Sequence, residues 1–318
     1  MTDMAATLAP PPAASAAGFG HRLAPPGDPL EGAPFDALYE KSIEPELAVC
    51  EGERQKALTI FIGAVAVGAV AVLAEYLFFH NFQIMLMTGF AFGVIGYMPL
   101  RSVGQKAKVG VISALCGPLN ITYQPSCDGP DFDAFRRYNL LPSASDKTFE
   151  DYFTGRRGSV EFALYEAILH QGSGKNRTLV FQGQLFRITT PRKLLATTVV
   201  LKNSGWLNMF ECPAGLQKVG LEDPEFQKIW QVFGSDQVEA REILTPSFMQ
   251  ELVNLEAGFV GKHLRCAFVG PDLFIALEHG EQFDIGNMFT TLVDRARVEG
   301  IARNLEQVFK VIDEFGGA

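Results

Sequence analysis

Cysteine is scarce and unpatterned in this sequence. The five in 318 residues, Cys50, Cys116, Cys127, Cys212 and Cys266, are odd in number, widely spaced and form no CxxC pair. That argues against a disulfide framework and against a zinc site, and leaves free thiols in a reducing compartment. None of His21, His80, His170, His263 and His279 stands in a metal-binding pattern such as HExxH. His279, beside Glu278 and Glu281, reads as a solvated turn. No GxSxG elbow marks a nucleophilic serine. Gly172-Ser173-Gly174-Lys175 has Leu169 where a phosphate loop needs its first glycine, and Asn176 where it needs Ser or Thr, so it reads as a turn. With a sequence pI of 5.2 and no interleaving of basic and aromatic residues, nucleic acid is not an expected partner. No catalytic, cofactor-binding or metal-ligating residue is assigned.

What the chain does have is two long apolar runs, residues 57–79 and 82–100, joined by a very short connector at His80. The first holds one charge, Glu75, and the second none. Each is long enough to cross a bilayer, and backbone groups in lipid must bond internally, so a transmembrane helical hairpin is expected. The first run starts too late for a cleavable signal peptide. Arg54 and Lys56 precede it, Arg101, Lys106 and Lys108 follow the second, and the connector carries no Lys or Arg. This places both termini in the cytoplasm.

Charge is split along the chain. Residues 1–56 carry net −5, residues 101–202 net +6 and residues 203–318 net −9. The basic half, next to the spans, either meets anionic lipid or is neutralised within its own domain.

The expected organisation is a disordered Ala/Pro-rich leader over 1–34 and an amphipathic helical lead-in over 35–56, kinked at Pro45. The hairpin over 57–100 follows, then a juxtamembrane helix and linker over 101–130 and a soluble domain over 131–318. Short helices are expected at 132–140 and, with Ser145 as cap and Gly155 as stop, at 146–154. Alternation then predicts strands over 158–170 and 177–190 around the 172–176 turn, with a third at 197–201. Asp223-Pro224 opens a helix to about 232, Ser235 caps 236–243, and Thr245-Pro246 opens 246–256. Strands at 262–269 and 272–277 and a helix over 286–315 complete the pattern. The class is α+β, with a meandering antiparallel sheet.

Four carboxylates are weak site candidates. Glu75 inside an apolar run invites an ion or proton-relay role, although it lies about one turn from the run's end, where interfacial exposure or protonation accounts for it. Glu150, Asp151 and Glu166 are acids of the kind general acid–base chemistry uses, and helix-start electrostatics or a solvated face account for such acids equally well.

The segments LLPSASDKTFEDYFTGRRGSVEFALYEAIL (140–169), GSGKNRTLVFQGQLFRI (172–188) and LEDPEFQKIWQVFGSDQVEAREILTPSFMQEL (221–252) resemble the bacterial family called domain of unknown function 3137. The resemblance runs from about 132 to 315, and the two-span hairpin is similar to that family's arrangement. It implies an inner-membrane protein with a cytoplasmic α+β domain, without implying an activity, a cofactor or catalytic residues. It also implies a LemA-type membrane protein as a possible neighbour in a shared assembly. The DPEF and LTPSF runs are explained as helix starts, with Asp223 and Thr245 as caps and Phe226 and Phe248 as core anchors. The functional expectation is a membrane-anchored, non-enzymatic interaction or regulatory module. The alternatives are a membrane-surface enzyme acting on lipid or envelope precursors, and a small-molecule or lipid sensor.

Overall fold

The computed structural model describes residues 30, 32–189, 193–203, 212–221, 223–258, 262–280, 283 and 286–316. Most of the expected leader, together with Glu222, Glu281 and the side chain of Phe315, lies outside the described residues.

Long apolar runs flanked by charged helical turns make the described chain helical as far as Cys116. Helix α1 (Gly32–Leu38) runs through a π turn (Tyr39–Ile43) into α2 (Glu44–Phe78), and α3 spans Phe82–Cys116. Instead of a simple proline kink, the Glu44 amide bonds the Tyr39 carbonyl five residues back, and this wider turn takes up Pro45 at the start of α2. Asn81 caps α3, its side chain accepting from the amides of Gln83 (3.1 Å) and Ile84 (3.4 Å). The two helices lie close because Gly68 faces Phe92 and Gly96 faces Phe61 and Ala64, where a β-carbon would collide. Both are long and apolar enough to cross a membrane.

Helix α3 does not end with its apolar run. Leu100, Val103, Ala107, Val111, Ile112 and Leu115 form one buried face that enters the main core. The expected second span and juxtamembrane helix are therefore one rod.

Nine strands form a single antiparallel sheet in the order β1-β2-β3-β4-β9-β8-β5-β7-β6. They are β1 (Thr122–Ser126), β2 (Asp146–Arg157), β3 (Val160–Gln171), β4 (Thr178–Thr189), β5 (Thr197–Lys202), β6 (Gln217–Val219), β7 (Trp230–Gly234), β8 (Lys262–Val269) and β9 (Asp272–Glu278). The meander holds from β1 to β4; the β8–β9 hairpin then inserts between β4 and β5. At the β4–β9 seam the backbones approach so closely at Gly183 that a β-carbon there would strike the Leu277 carbonyl.

The expected helix over 146–154 is instead part of β2. Thr148, Phe149, Tyr152, Phe153 and Thr154 are β-branched or aromatic and fit a pleated surface. A bulge between Glu150 and Phe153, with Asp151 at φ 51°, breaks the alternation that would have revealed the strand. Ser145 caps no helix; its amide bonds the His170 carbonyl at 2.9 Å and its hydroxyl the Gly172 carbonyl at 2.9 Å, closing the strand end.

Helices cover both faces. Helix α4 (Phe132–Arg137) lies on one, with Phe135 edge-on to Phe274 at 5.2 Å. The other carries α3, α7 (Pro246–Gly258) and α8 (Arg295–Gly316), with Phe248 on Phe268 and Phe309 on Phe162. Helix α5 (Pro224–Ile229) is shorter than expected, because Trp230 starts β7 and packs against Phe226. Asp223 and Thr245 act as caps as expected, while Asp236, not Ser235, caps α6 (Gln237–Ile243). The Ser235 hydroxyl instead accepts the Thr197 amide. Helix α8 begins at Arg295 rather than 286, since residues 286–294 fold into a hydrogen-bonded loop.

Candidate functional site

The β2 bulge sets up the first polar cluster. It turns Asp151, 1 % exposed, toward α3 and β1, where its carboxylate accepts from Lys108 Nζ at 2.7 Å and from the Tyr123 hydroxyl at 2.7 Å. Burial first, and the adjoining Asp151 charge second, push the Tyr123 phenol far above its usual range, so it remains a donor. The cluster ties α3 to β1 and β2.

Glu150 stands opposite Glu166, and Glu166 opposite Gln184, in a row across β2, β3 and β4. Leu164 and Phe186, two residues on, belong to the core beneath α3 and α8, which puts this row on the same face. Gln184 is fully buried with neither amide atom hydrogen-bonded. The structure thus brings Glu150, Asp151 and Glu166 together around one bulge. Glu75 lies apart in the hairpin, where it accepts from the Thr88 hydroxyl at 2.8 Å.

A second polar site lies on the α4 face. A cleft of ≈ 790 Å³ opens beside the loop that follows α4, with Leu141 and Leu201 as apolar lining and Ser143, His263, Arg265 and Glu278 among its polar groups. His263 sits at φ 74° where the β8–β9 register slips, a backbone position that side chains rarely adopt. Glu278 bridges Arg265 and His263 Nδ1, the latter at 2.8 Å, while Arg265 also donates to the Leu140 carbonyl at 2.8 Å. With Nδ1 turned to the carboxylate, Nε2 is the ring's remaining polar atom on a half-exposed side chain. The sequence offered one usable sign of this site: His263, Arg265 and Ala267 alternate with apolar Leu264 and Cys266.

His279 is buried, not in a solvated turn, because its amide extends the β9 ladder to the Gln182 carbonyl at 3.0 Å. Burial pushes its imidazole below the usual value. Among the described residues no group of three His, Cys, Asp or Glu is placed to hold a metal ion.

The third polar site joins the hairpin to the domain. Arg54, 7 % exposed, forks onto Glu51 at 2.6 and 2.8 Å and donates to the Met288 carbonyl at 3.0 Å; Glu51 also accepts the Leu292 amide at 2.9 Å. The Arg54 hydrogen bonds, helped by the Leu292 amide, hold the Glu51 carboxyl down to about 2.

These features define an α+β protein with two long apolar helices, a nine-stranded antiparallel sheet and a C-terminal helix. Residues 179–316 match the family described as Protein of unknown function (DUF3137), the family the sequence resembles. The match begins within β4, later than the resemblance at about 132. A search of curated proteins finds no match. Among solved structures, the crystal structure of the mycobacterial trehalose monomycolate transport factor A, TtfA, aligns with 9% identity and a TM-score of 0.33 over 64% of this chain and 92% of that chain. That likeness is too distant to inform the function of this chain.

Proposed function

We propose that this is a bacterial inner-membrane protein, crossing the bilayer twice with both termini in the cytoplasm, whose domain is an interaction or regulatory module for another membrane protein. The observation that carries the reading is the lipid-type surface of the hairpin joined without a break to the domain core. Ile60, Ile62, Val70, Leu73, Phe78, Phe82, Leu86, Phe90 and Ile95 all point outward, a perimeter no soluble domain leaves bare. From Leu100, five residues past Ile95, one face of the same helix is core. The cations flanking the runs support the orientation, and the family resemblance supports a LemA-type neighbour. Two measurements test this. Alkaline extraction of bacterial membranes leaves the chain in the pellet; recovery in the supernatant would end the anchor reading. Photo-crosslinking from exposed domain positions in native membranes yields one recurrent membrane-protein adduct. The same smear from every position would end the module reading.

The cleft favours a second reading, small-molecule sensing. Leu141, Pro142 and Leu201 beside the convergent His263, Arg265 and Glu278, with the strained backbone at His263, are the makings of a site for a polar ligand. Thermal stabilisation of the solubilised chain by members of a metabolite panel, lost in Glu278→Gln, is the expected result. Equal shifts in both proteins would remove it.

A further inference from the structure

We infer that the domain makes its own contact with the bilayer, through the loop at residues 286–294, with Phe289 entering the boundary between headgroups and acyl chains. The inference rests on the membrane reading above and adds a third lipid contact to the two helices.

The loop is built to hold this ring outward. Its neighbours Met288 and Leu292 are buried as anchors, Met288 seated against Gly104 of α3. Arg54 holds the Met288 carbonyl and Glu51 the Leu292 amide, tying the loop to α2. Asn287 accepts the Phe289 amide at 2.9 Å, and Arg297 of α8 donates to the Thr291 carbonyl at 3.1 Å. Phe289 itself is left 49% exposed between these fastenings.

Its height follows from what it touches. The Phe289 ring meets Phe61 edge-on, with centroids 5.6 Å apart. Phe61 lies four residues past Ala57, the start of the first apolar run, about 6 Å along the helix. On the other helix, Gly96, which also faces Phe61, lies four residues before Leu100, the end of the second run, at the same level. Exposed Lys56 and Arg101 stand one to two turns to the domain side, at the height of headgroup phosphates. On the lipid side, outward-facing apolar residues begin at Ile60 and Met98. A half-bare phenylalanine fixed at that level meets lipid, as an interfacial anchor does.

The test uses the full chain in proteoliposomes with tryptophan placed by Phe289→Trp or, as a mid-span control, Phe90→Trp. Emission from Trp206 and Trp230 is subtracted using the unsubstituted chain. Phosphatidylcholine brominated near the carbonyl end of its acyl chains is expected to quench most of the added emission at 289, and bromination near the methyl end much less. Quenching at 289 by aqueous iodide but not by either brominated lipid, with quenching by brominated lipid at 90, would overturn the inference and leave the anchor standing. Absence of lipid quenching at both positions would overturn both.

Discussion

Removing the Lys108 amine tests whether the buried cluster at the β2 bulge carries the joint between helix and sheet. Lys108→Met keeps most of the side-chain length and strips from Asp151, 1 % exposed, its cationic partner while the Tyr123 hydroxyl at 2.7 Å stays. Stripping one partner from a buried ion pair costs about 3–5 kcal/mol, because the remaining charge keeps its desolvation penalty. A domain has about 5–15 kcal/mol in total, so the loss is a large share of its stability. Exchanging both partners, Lys108→Met with Asp151→Asn, removes the stranded charge, keeps an acceptor for the Tyr123 hydroxyl and suits the φ of 51°, leaving about 1–3 kcal/mol for a buried amide that is not fully paired. The double variant is therefore more stable than the single one, and the cycle reports strong coupling. Guanidinium unfolding of the solubilised chain, followed by the emission of Trp230 buried between Phe226 and the sheet, reads the difference. A single variant within about 1 kcal/mol of the parent, or a double variant no better than the single, would refute the account.

Acid acts at the Glu51–Arg54 junction. The Glu51 carboxyl is lowered in the folded chain from 4.5 to about 2, so its contribution is complete above the unfolded value and disappears as pH falls from there toward 2. The shift corresponds to something on the order of 3 kcal/mol, and Glu51→Gln flattens this part of a stability-against-pH curve. An unchanged slope would exclude Glu51 as the group responsible. At the β4–β9 seam, Gly183→Ala places a methyl against the Leu277 backbone, where nothing flexible can yield. It is expected to cost at least about 1–3 kcal/mol in the same unfolding assay. A melting point equal to the parent's would show that the seam has slack.

The parts of the fold visible in the sequence are those where one local signal dominates. The apolar runs, the Asp223 and Thr245 caps and the β8–β9 hairpin across Gly270-Pro271 needed no distant information. Strand β2 was hidden because its bulge puts Glu150 and Asp151 side by side and imitates a helical surface. The 286–294 loop looks helical in sequence because Phe289, Leu292 and Val293 keep helical spacing, although Leu292 anchors the loop in the core and Phe289 is left outward. Insertion of β9 and β8 beside β4 is a long-range pairing with no local sign. As for the site, Glu150, Asp151 and Glu166 gather around one bulge, but their partners leave no local sign in the sequence. Lys108 lies on a helix 43 positions from Asp151, and the strain at His263 exists only once β8 and β9 are paired.

The thiols have a practical consequence. Cys50, Cys116 and Cys266 are buried, and burial pushes the latter two up to about 12, whereas Cys212 is exposed. At neutral pH an alkylating reagent consumes Cys212 at once, reaches the half-buried Cys127 more slowly, and meets Cys50, Cys116 and Cys266 only when the helices part from one another or from the strands. Counting adducts by mass over time would thus clock how often the native assembly opens, with Cys50 timing the helical end and Cys266 the middle of the sheet.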